Sequence, residues 1–182
     1  FLIGKWFKYS KIDPDIPSRE FKQALENLRL AGLIYEVFST SASNLPLIAL
    51  INKNKFKVIF LDVGLVQHTY RLDFHTLMNE DIDLVTKGAL AEQFVGQMLL
   101  ASQSTIEEAN LFSWYREKVT SSAELDYVIQ VDQHIIPMEV KAGATGRLKS
   151  LQVFIEEKKS KIGVQISQKN LSFRKNILSV PF

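Results

Sequence analysis

The chain has 182 residues, no cysteine and a formal net charge of only +2. So small a charge excludes nucleic-acid binding through bulk positive charge, and the absence of cysteine excludes disulfides and thiolate metal sites. No apolar run approaches the ~20 residues of a membrane span, so we expect a cytoplasmic protein with no membrane partner. Because the chain opens on Phe1-Leu-Ile-Gly, we expect it to be the C-terminal part of a longer protein.

The first half predicts one helix followed by two strands. Ser18 is a good helix N-cap, Gly32 ends the helix, and apolar residues repeat between them at helical spacing. Residues 33–38 and 56–61 predict strands, and the polar residues 52–55 predict a turn before the second of them. This order suggests a winged-helix-like domain over residues 1–72. Such domains bind DNA or serve as spacers and protein docking modules.

The second half predicts a mixed sheet with flanking helices. A long amphipathic helix is expected from Asp81 to about Ser102, with Gly88 and Gly96 allowing close packing against a sheet. Strands are predicted at residues 111–116, 124–131, 134–141, 161–166 and 177–181, and a second helix from Leu148 to about Lys159. The order of these elements indicates an α/β (α+β) sandwich over residues 80–182.

Charged residues cluster where two of these strands meet. Asp132-Gln133 predicts a tight turn, which would make the two strands a hairpin. Residues two apart in a strand share a face, so Glu139 and Lys141 would point together, and Asp126 of the partner strand could approach them. Carboxylates with an ammonium are what a magnesium-dependent phosphodiester-cleavage site needs, because hard oxygen ligands hold the ion.

Two further acids are candidates beside this group. Glu124 lies on the same strand face as Asp126. Glu92 lies at the edge of the apolar stripe of the long helix, where a carboxylate could reach a metal held by the strands. The competing interpretation of Glu92 is an ordinary surface glutamate.

Several short motifs together resemble a known family. They are LAGLI at 30–34, VIFLDVGL at 58–65, GALAEQFV at 88–95, WYR at 114–116, ELDYVI at 124–129 and MEVKAG at 138–143. An acid in a first helix, then Asp, then Glu-x-Lys on successive strands is similar to the PD-(D/E)XK nuclease-like superfamily of restriction endonucleases and Holliday-junction resolvases. The closer resemblance is to a domain of unknown function at the C-terminus of bacterial and archaeal AAA-type ATPases.

The resemblance implies a winged-helix-like part, then a restriction-endonuclease-like part, and a P-loop ATPase domain ahead of Phe1. Carried over by motif, Glu92 is the helix acid, Asp126 the central metal ligand and Glu139 the second ligand. Lys141 becomes the catalytic lysine, and Glu124 binds or supports the metal. The implied cofactor is Mg²⁺ or Mn²⁺, and the implied partner is DNA.

Three interpretations of these residues stay open. The first is an Mg²⁺-dependent DNA endonuclease. The second is a catalytically inactive nuclease-like module that binds DNA or a protein partner and positions the ATPase domain. The third is a purely structural network in which Asp126, Glu139 and Lys141 pair with one another, because buried charges are usually paired. An excess of basic residues between Gly146 and Lys175 favours phosphate contact, and the sequence is compatible with an oligomer.

Overall fold

The computed structural model describes residues 4–72, 84–104, 106, 108–116, 122–143 and 148–182. Four α-helices lie within these ranges: α1 (Ser18–Leu30), α2 (Val63–Thr69), α3 (Leu84–Ala101) and α4 (Lys149–Lys158). The strands are β1 (Ile34–Thr40), β2 (Ile51–Phe60), β3 (Leu111–Arg116), β4 (Ala123–Val131), β5 (His134–Val140), β6 (Gly163–Ser167), β7 (Ser172–Arg174) and β8 (Ile177–Pro181). Single turns of 3₁₀-helix occupy Tyr9–Lys11 and Leu47–Leu50.

All the described strands form one mixed sheet in the order β2-β1-β3-β4-β5-β6-β8-β7. The hairpin of β1 and β2 joins the rest through parallel pairing of Val37–Thr40 with Leu111–Trp114. The predicted α/β (α+β) class is therefore confirmed. The winged-helix-like and nuclease-like descriptions, and the division into residues 1–72 and 80–182, stay predictions.

Two predictions about local structure differ from the structure. The turn predicted over residues 52–55 is wrong, because β2 already begins at Ile51. The pairing with β1 shifts from Phe38–Phe56 to Ser39–Asn52, so three extra residues of β2 bulge out of the ladder. Lys53 and Asn54 are exposed there, whereas Lys55 is half-buried. Helix α2 was not predicted; it begins after Asp62, whose Oδ1 accepts a hydrogen bond from the Gly64 N–H at 2.6 Å. The start predicted for α3, at Asp81, lies outside the described residues.

The sheet has a core on each face. On one face, α3 covers the cluster Val37, Ile59, Val95, Leu111, Tyr127, Met138 and Val140. On the other, α4 places Leu151 and Phe154 against Trp114, Leu125, Val128 and Ile177. These are called the α3 face and the α4 face below. None of the helices in the described ranges combines the length and the hydropathy that crossing a bilayer requires.

A bulge in β4 sets the direction of the side chains around Asp126. Leu125 and Val128 both pack on the α4 face, although residues three apart in a regular strand point to opposite faces. The pairing explains this: Val128 faces Phe112 and Leu125 faces Trp114, so Asp126 and Tyr127 together oppose one residue of β3. Tyr127 packs in the α3-face core, and Asp126 lies beside it on that side.

Candidate functional site

A buried lysine lies at the centre of three of the predicted site acids. Lys57 of β2 is 1% exposed. Its Nζ lies 2.8 Å from Glu92 Oε1, 2.8 Å from Glu124 Oε1 and 3.9 Å from Asp126 Oδ1. We call Glu92, Glu124, Asp126 and Lys57 the carboxylate cluster. A buried lysine ammonium is no longer hydrated and therefore needs carboxylate partners, because an isolated buried charge is very unfavourable.

Helix α3 holds Glu92 against the sheet through bonds made by its neighbours. The side-chain amide of Gln93, which is fully buried, accepts from the Phe60 N–H at 2.9 Å and donates to the Phe60 carbonyl at 2.8 Å. The Tyr127 hydroxyl donates to the Glu92 carbonyl at 2.8 Å. At Gly96 the helix approaches the Tyr127 ring so closely that a Cβ would collide with its hydroxyl. The backbone of α3 is thereby fixed at Glu92 and over the turn that follows it.

The N-terminal segment contacts the carboxylate cluster through Trp6. Its indole Nε1 donates to Glu124 Oε2 at 2.8 Å, so both oxygens of Glu124 have a partner. The Lys57 ammonium also lies 5.6 Å from the centre of the Trp6 ring, within the range of a cation–π interaction. Trp6 therefore contacts both Glu124 and Lys57 of the cluster, in addition to packing against Tyr115.

Asp126 bridges the carboxylate cluster and the next strand. The ladder between β4 and β5 ends at the Tyr127–Met138 pair. Beyond that point Asp126 Oδ2 accepts a hydrogen bond from the Val140 N–H at 2.7 Å. The Asp126 side chain thus bonds to β5 where the backbone pairing of the two strands has ended. Its other oxygen faces Lys57. The Asp126 carboxylate is thus held in the opening between the two strands.

Glu139 and Lys141 form a separate ion pair. The Lys141 Nζ donates to Glu139 Oε1 at 2.5 Å. Met138 and Val140 pack in the α3-face core, so alternation along β5 turns Glu139 to the α4 face. There it pairs in register with Gln165 of β6. Within the described residues, no hydrogen bond or ion pair joins the Glu139–Lys141 pair to the carboxylate cluster.

Two buried polar atoms on the α4 face have no hydrogen-bond partner in the described structure. They are Glu139 Oε2 and Gln165 Nε2, which belong to side chains 6% and 1% exposed. Ser179 of β8 donates to Gln165 Oε1 at 3.3 Å. Buried groups of this kind are few in native proteins, and each needs a physical explanation. A water molecule that donates a hydrogen bond to Glu139 Oε2 and accepts one from Gln165 Nε2 would satisfy both atoms.

Burial is the largest cause of the raised pKa of two carboxyl groups, Glu92 in the carboxylate cluster and Glu139 in the ion pair with Lys141. It raises the pKa of Glu92 to about 7, with Asp126 and Glu124 adding to the rise and Lys57 opposing it. It also raises the pKa of Glu139 to about 7, with Asp126 adding and Lys141 opposing. Burial alone would lower the pKa of Lys57, but its three carboxylate neighbours outweigh burial and raise that pKa. The three carboxylates therefore favour the charged form of Lys57.

The carboxylate cluster has the right atoms for a hard cation but not the right arrangement. Mg²⁺ requires oxygen ligands at 2.0–2.1 Å in near-octahedral geometry. In the part of the chain that the structure describes, no three acidic or histidine side chains are grouped so that they could hold a metal ion. The position between Glu92, Glu124 and Asp126 is taken by the Lys57 ammonium. A divalent ion does not fit this cluster unless Lys57 leaves it.

Sequence analysis named Glu92, Glu124 and Asp126 as candidates, but it did not identify Lys57. It also expected Asp126 to approach Glu139 and Lys141, whereas those two residues form an ion pair of their own and Asp126 lies near Lys57. The available signal was local: Lys57 interrupts the apolar run from Phe56 to Phe60, and it shares a strand face with Ile59. A lysine at an inward-facing strand position needs a buried carboxylate partner. The sequence did not say which carboxylate that would be.

Two family models match the chain. The "Domain of unknown function (DUF4143)" matches residues 87–182, which is more than half of the chain and includes the positions of Glu92, Asp126 and Glu139. The "Domain of unknown function (DUF8612)" matches residues 2–76, which include Lys57. No curated protein and no solved structure matches the chain. The chain therefore belongs to the DUF4143 family.

Proposed function

We propose that this chain is a nuclease-like module that acts by binding and not by metal-dependent cleavage. One observation carries the proposal: the ammonium of Lys57 lies among Glu92, Glu124 and Asp126, where a catalytic metal would have to be. The negative charge that a metal would balance is already partly balanced by a side chain of the protein. The predicted structural network, in which Asp126 pairs with Glu139 and Lys141, differs from the observed ion pairs: Asp126 lies near Lys57, and Lys141 pairs with Glu139.

An ammonium cannot replace the chemistry of the metal. A divalent ion lowers the pKa of a bound water and leaves coordination positions open for the substrate phosphate. The Lys57 ammonium carries only N–H donors, and its nitrogen lies 2.8 Å from an oxygen of Glu92 and 2.8 Å from an oxygen of Glu124. The lysine is only 1% exposed, so solvent has little access to it. It therefore offers neither an activated water nor an open position.

The N-terminal part supports docking of a protein partner. Helix α1 is amphipathic, yet none of its 13 residues is buried. Large apolar side chains are exposed on and near it: Ile12, Ile16, Leu28, Leu30 and Leu33. Exposed apolar groups gathered in one region mark protein interaction surfaces. Domains of this family commonly follow AAA-type ATPase domains, so we propose a P-loop ATPase domain as the partner that this surface positions in the cytoplasm.

DNA is the second partner that we propose. Exposed basic side chains occur on α4, on β7 and in the connections after α4 and β7: Lys149, Lys159, Lys161, Arg174 and Lys175. Binding through such residues would be made with phosphates, so its affinity would fall steeply with salt. In fluorescence anisotropy with a labelled duplex, we expect weak binding at 50 mM salt that is lost by 200 mM. Asp126→Asn should leave that binding unchanged or strengthen it, because it removes negative charge.

A nuclease assay tests the absence of metal chemistry. Supercoiled, linear, branched and single-stranded DNA, and RNA, are incubated with the purified protein in Mg²⁺, in Mn²⁺ and in EDTA. We expect wild type, Asp126→Asn and Lys141→Ala to show the same background. Metal-dependent cleavage by wild type that both variants lose would overturn the proposal. It would support the endonuclease hypothesis instead, with Glu92, Asp126 and Glu139 as ligands and Lys141 as the catalytic lysine.

A further inference from the structure

We propose that a cleft on the α4 face is a binding site for a nucleoside phosphate, which places its phosphate on lysines at the rim and its base against an apolar floor. The cleft lies where the end of α4 meets the turn between β4 and β5, and its volume is about 450 Å³. Small-molecule sites in proteins have volumes of roughly 300–1,000 Å³. The inference rests on the proposed function in one respect: it names the ligand chemistry that part of the basic surface after α4 would recognise.

The cleft is separate from the carboxylate cluster. His134, at the turn end of β5, lines the cleft and pairs with Val131 of β4. Asp126 precedes Val131 by five positions, which is about 16 Å along a strand at ~3.3 Å per residue. The cleft is also floored by Phe154 of the α4-face core, whereas Asp126 lies on the α3 side of the sheet. A ligand in the cleft would therefore not touch the site that the resemblance to nucleases implies.

Basic side chains form one rim of the cleft. Lys158, Lys159 and Lys161 line it, and they belong to the end of α4 and to the connection that leads to β6. Glu157 is the one acidic side chain among the described residues that line the cleft, and its Oε1 lies 2.9 Å from Arg116 Nη1. Because Arg116 balances the charge of Glu157, the lysines leave the cleft positive. A cleft of this charge attracts anions, and lysine binds phosphate as a point charge.

The floor of the cleft is apolar. It contains Phe154, which is fully buried, and Ile135 and Ile162, which are half-buried. An anion without an apolar part would leave this floor in water, whereas a nucleoside phosphate would cover it with the base. Gln133, exposed in the turn between β4 and β5, also lines the cleft. Its amide can both donate and accept hydrogen bonds, which the polar edges of bases require.

The walls of the cleft are fixed by the protein itself. The Ser160 hydroxyl lies within hydrogen-bond distance of the Ile135 carbonyl, at 3.0 Å, and of the Ile162 carbonyl, at 2.9 Å. The connection after α4 is thereby tied to β5. Three connections that meet at the cleft each contain a non-glycine residue with left-handed backbone: Ala42 (φ 48°), Asp132 (φ 51°) and Lys159 (φ 52°). Such conformations are unfavourable for residues with a Cβ, and they are found preferentially at binding sites.

The test is a titration of the isotope-labelled protein followed by nuclear magnetic resonance at low salt, with thymidine 5′-monophosphate as the probe. Thymidine and inorganic phosphate are titrated separately, because each carries only one half of the chemistry. We expect the nucleotide to shift the amide signals of Ser43, Gln133 and Ser160, which line the cleft. We expect thymidine and phosphate each to bind at least tenfold more weakly than the nucleotide.

A phosphorylated oligothymidylate distinguishes the two sources of such a ligand. If the oligonucleotide binds at least tenfold more tightly than the monophosphate and shifts the same amide signals, the ligand is a nucleotide within a DNA strand. If the two bind with equal affinity, the ligand is a free nucleotide. Both results support the site.

Variants locate the binding in the cleft. Lys159→Asn combined with Lys161→Gln removes two rim charges, and asparagine tolerates the left-handed backbone at position 159. We expect its affinity for the nucleotide to be at least tenfold lower. Ser43→Trp fills the cleft from an exposed position and should abolish binding. The matched control, Lys11→Gln combined with Lys53→Gln, removes the same charge from exposed positions outside the cleft and should bind the nucleotide as wild type does.

The inference is overturned if the nucleotide shifts no cleft signals, or if folded Ser43→Trp, checked by circular dichroism, binds it as wild type does. It is also overturned if inorganic phosphate binds as tightly as the nucleotide, or if the control variant loses as much affinity as the rim variant. A failure of the proposed function is distinct from these results, because it would appear as metal-dependent cleavage of nucleic acid by wild type.

Discussion

Replacing Glu139 with glutamine should change how the stability of the protein depends on pH. Burial raises the pKa of this carboxyl from its ordinary 4.5 to about 7, against the opposing effect of Lys141. A carboxyl with a raised pKa binds its proton more tightly in the folded state than in the unfolded chain. It therefore contributes stability that is complete below about pH 4.5 and is lost as the pH rises to about 7.

The size of the effect follows from the change in pKa. Each pKa unit corresponds to about 1.36 kcal/mol, so ionising Glu139 in place costs at most roughly 3 kcal/mol. Glutamine cannot ionise, and its side chain is nearly the same size. The free energy of unfolding of Glu139→Gln, measured relative to wild type, should rise by 1–3 kcal/mol (an order-of-magnitude range) between pH 5 and pH 8.5.

Urea unfolding at a series of pH values measures this difference. Glu92, whose pKa burial also raises to about 7, is present in both proteins and cancels in the comparison. The matched control is Glu156→Gln, a substitution of the same chemistry at an exposed position of α4. A difference between Glu139→Gln and wild type that stays constant from pH 5 to pH 8.5 would refute the reasoning, as would an equal change in Glu156→Gln.

The remaining predictions concern two glycines of α3. Gly96→Ala should destabilise the protein by about 1–3 kcal/mol, because the new Cβ would meet the Tyr127 hydroxyl and Ile59 Cδ1 in a packed core. Gly88→Ala, in the same helix, should stabilise it by up to about 1 kcal/mol, because a Cβ there has no heavy atom within 4 Å and alanine favours helix. Both are measured by urea unfolding at one pH, and equal effects of the two substitutions would contradict this account of the packing.

Much of the fold could be predicted because its signals are local. Apolar spacing located α1 and α4 to within a few residues, and the alternation in β4 and β5 with Asp132-Gln133 between them predicted their hairpin. Helix α2 was missed because its seven residues are too few for a periodic pattern to be recognised. The continuity of the sheet was missed because β1 and β3 pair across more than 70 residues, and nothing local encodes that pairing.

The candidate site was predictable in its residues but not in its connections. Local motifs pointed to Glu92, Asp126 and Glu139, while Lys57, which lies among the acids of the cluster, reaches Glu92 across 35 positions. The bulge that turns Asp126 beside Tyr127 depends on the register between β3 and β4, which the sequence of either strand does not reveal. Strand alternation predicted that Glu139 and Lys141 share a face of β5, but the packing of Met138 and Val140 in the structure was needed to show that Glu139 lies on the α4 face.

The occupant of the carboxylate cluster can be identified directly by crystallography. Wild-type crystals are soaked in Mn²⁺, and anomalous scattering is collected at the manganese edge. We predict no manganese peak between Glu92, Glu124 and Asp126, with density for the Lys57 Nζ about 2.8 Å from Glu92 Oε1. A manganese ion bound by Asp126 and Glu92 or Glu139, with the Lys57 side chain displaced, would contradict the account.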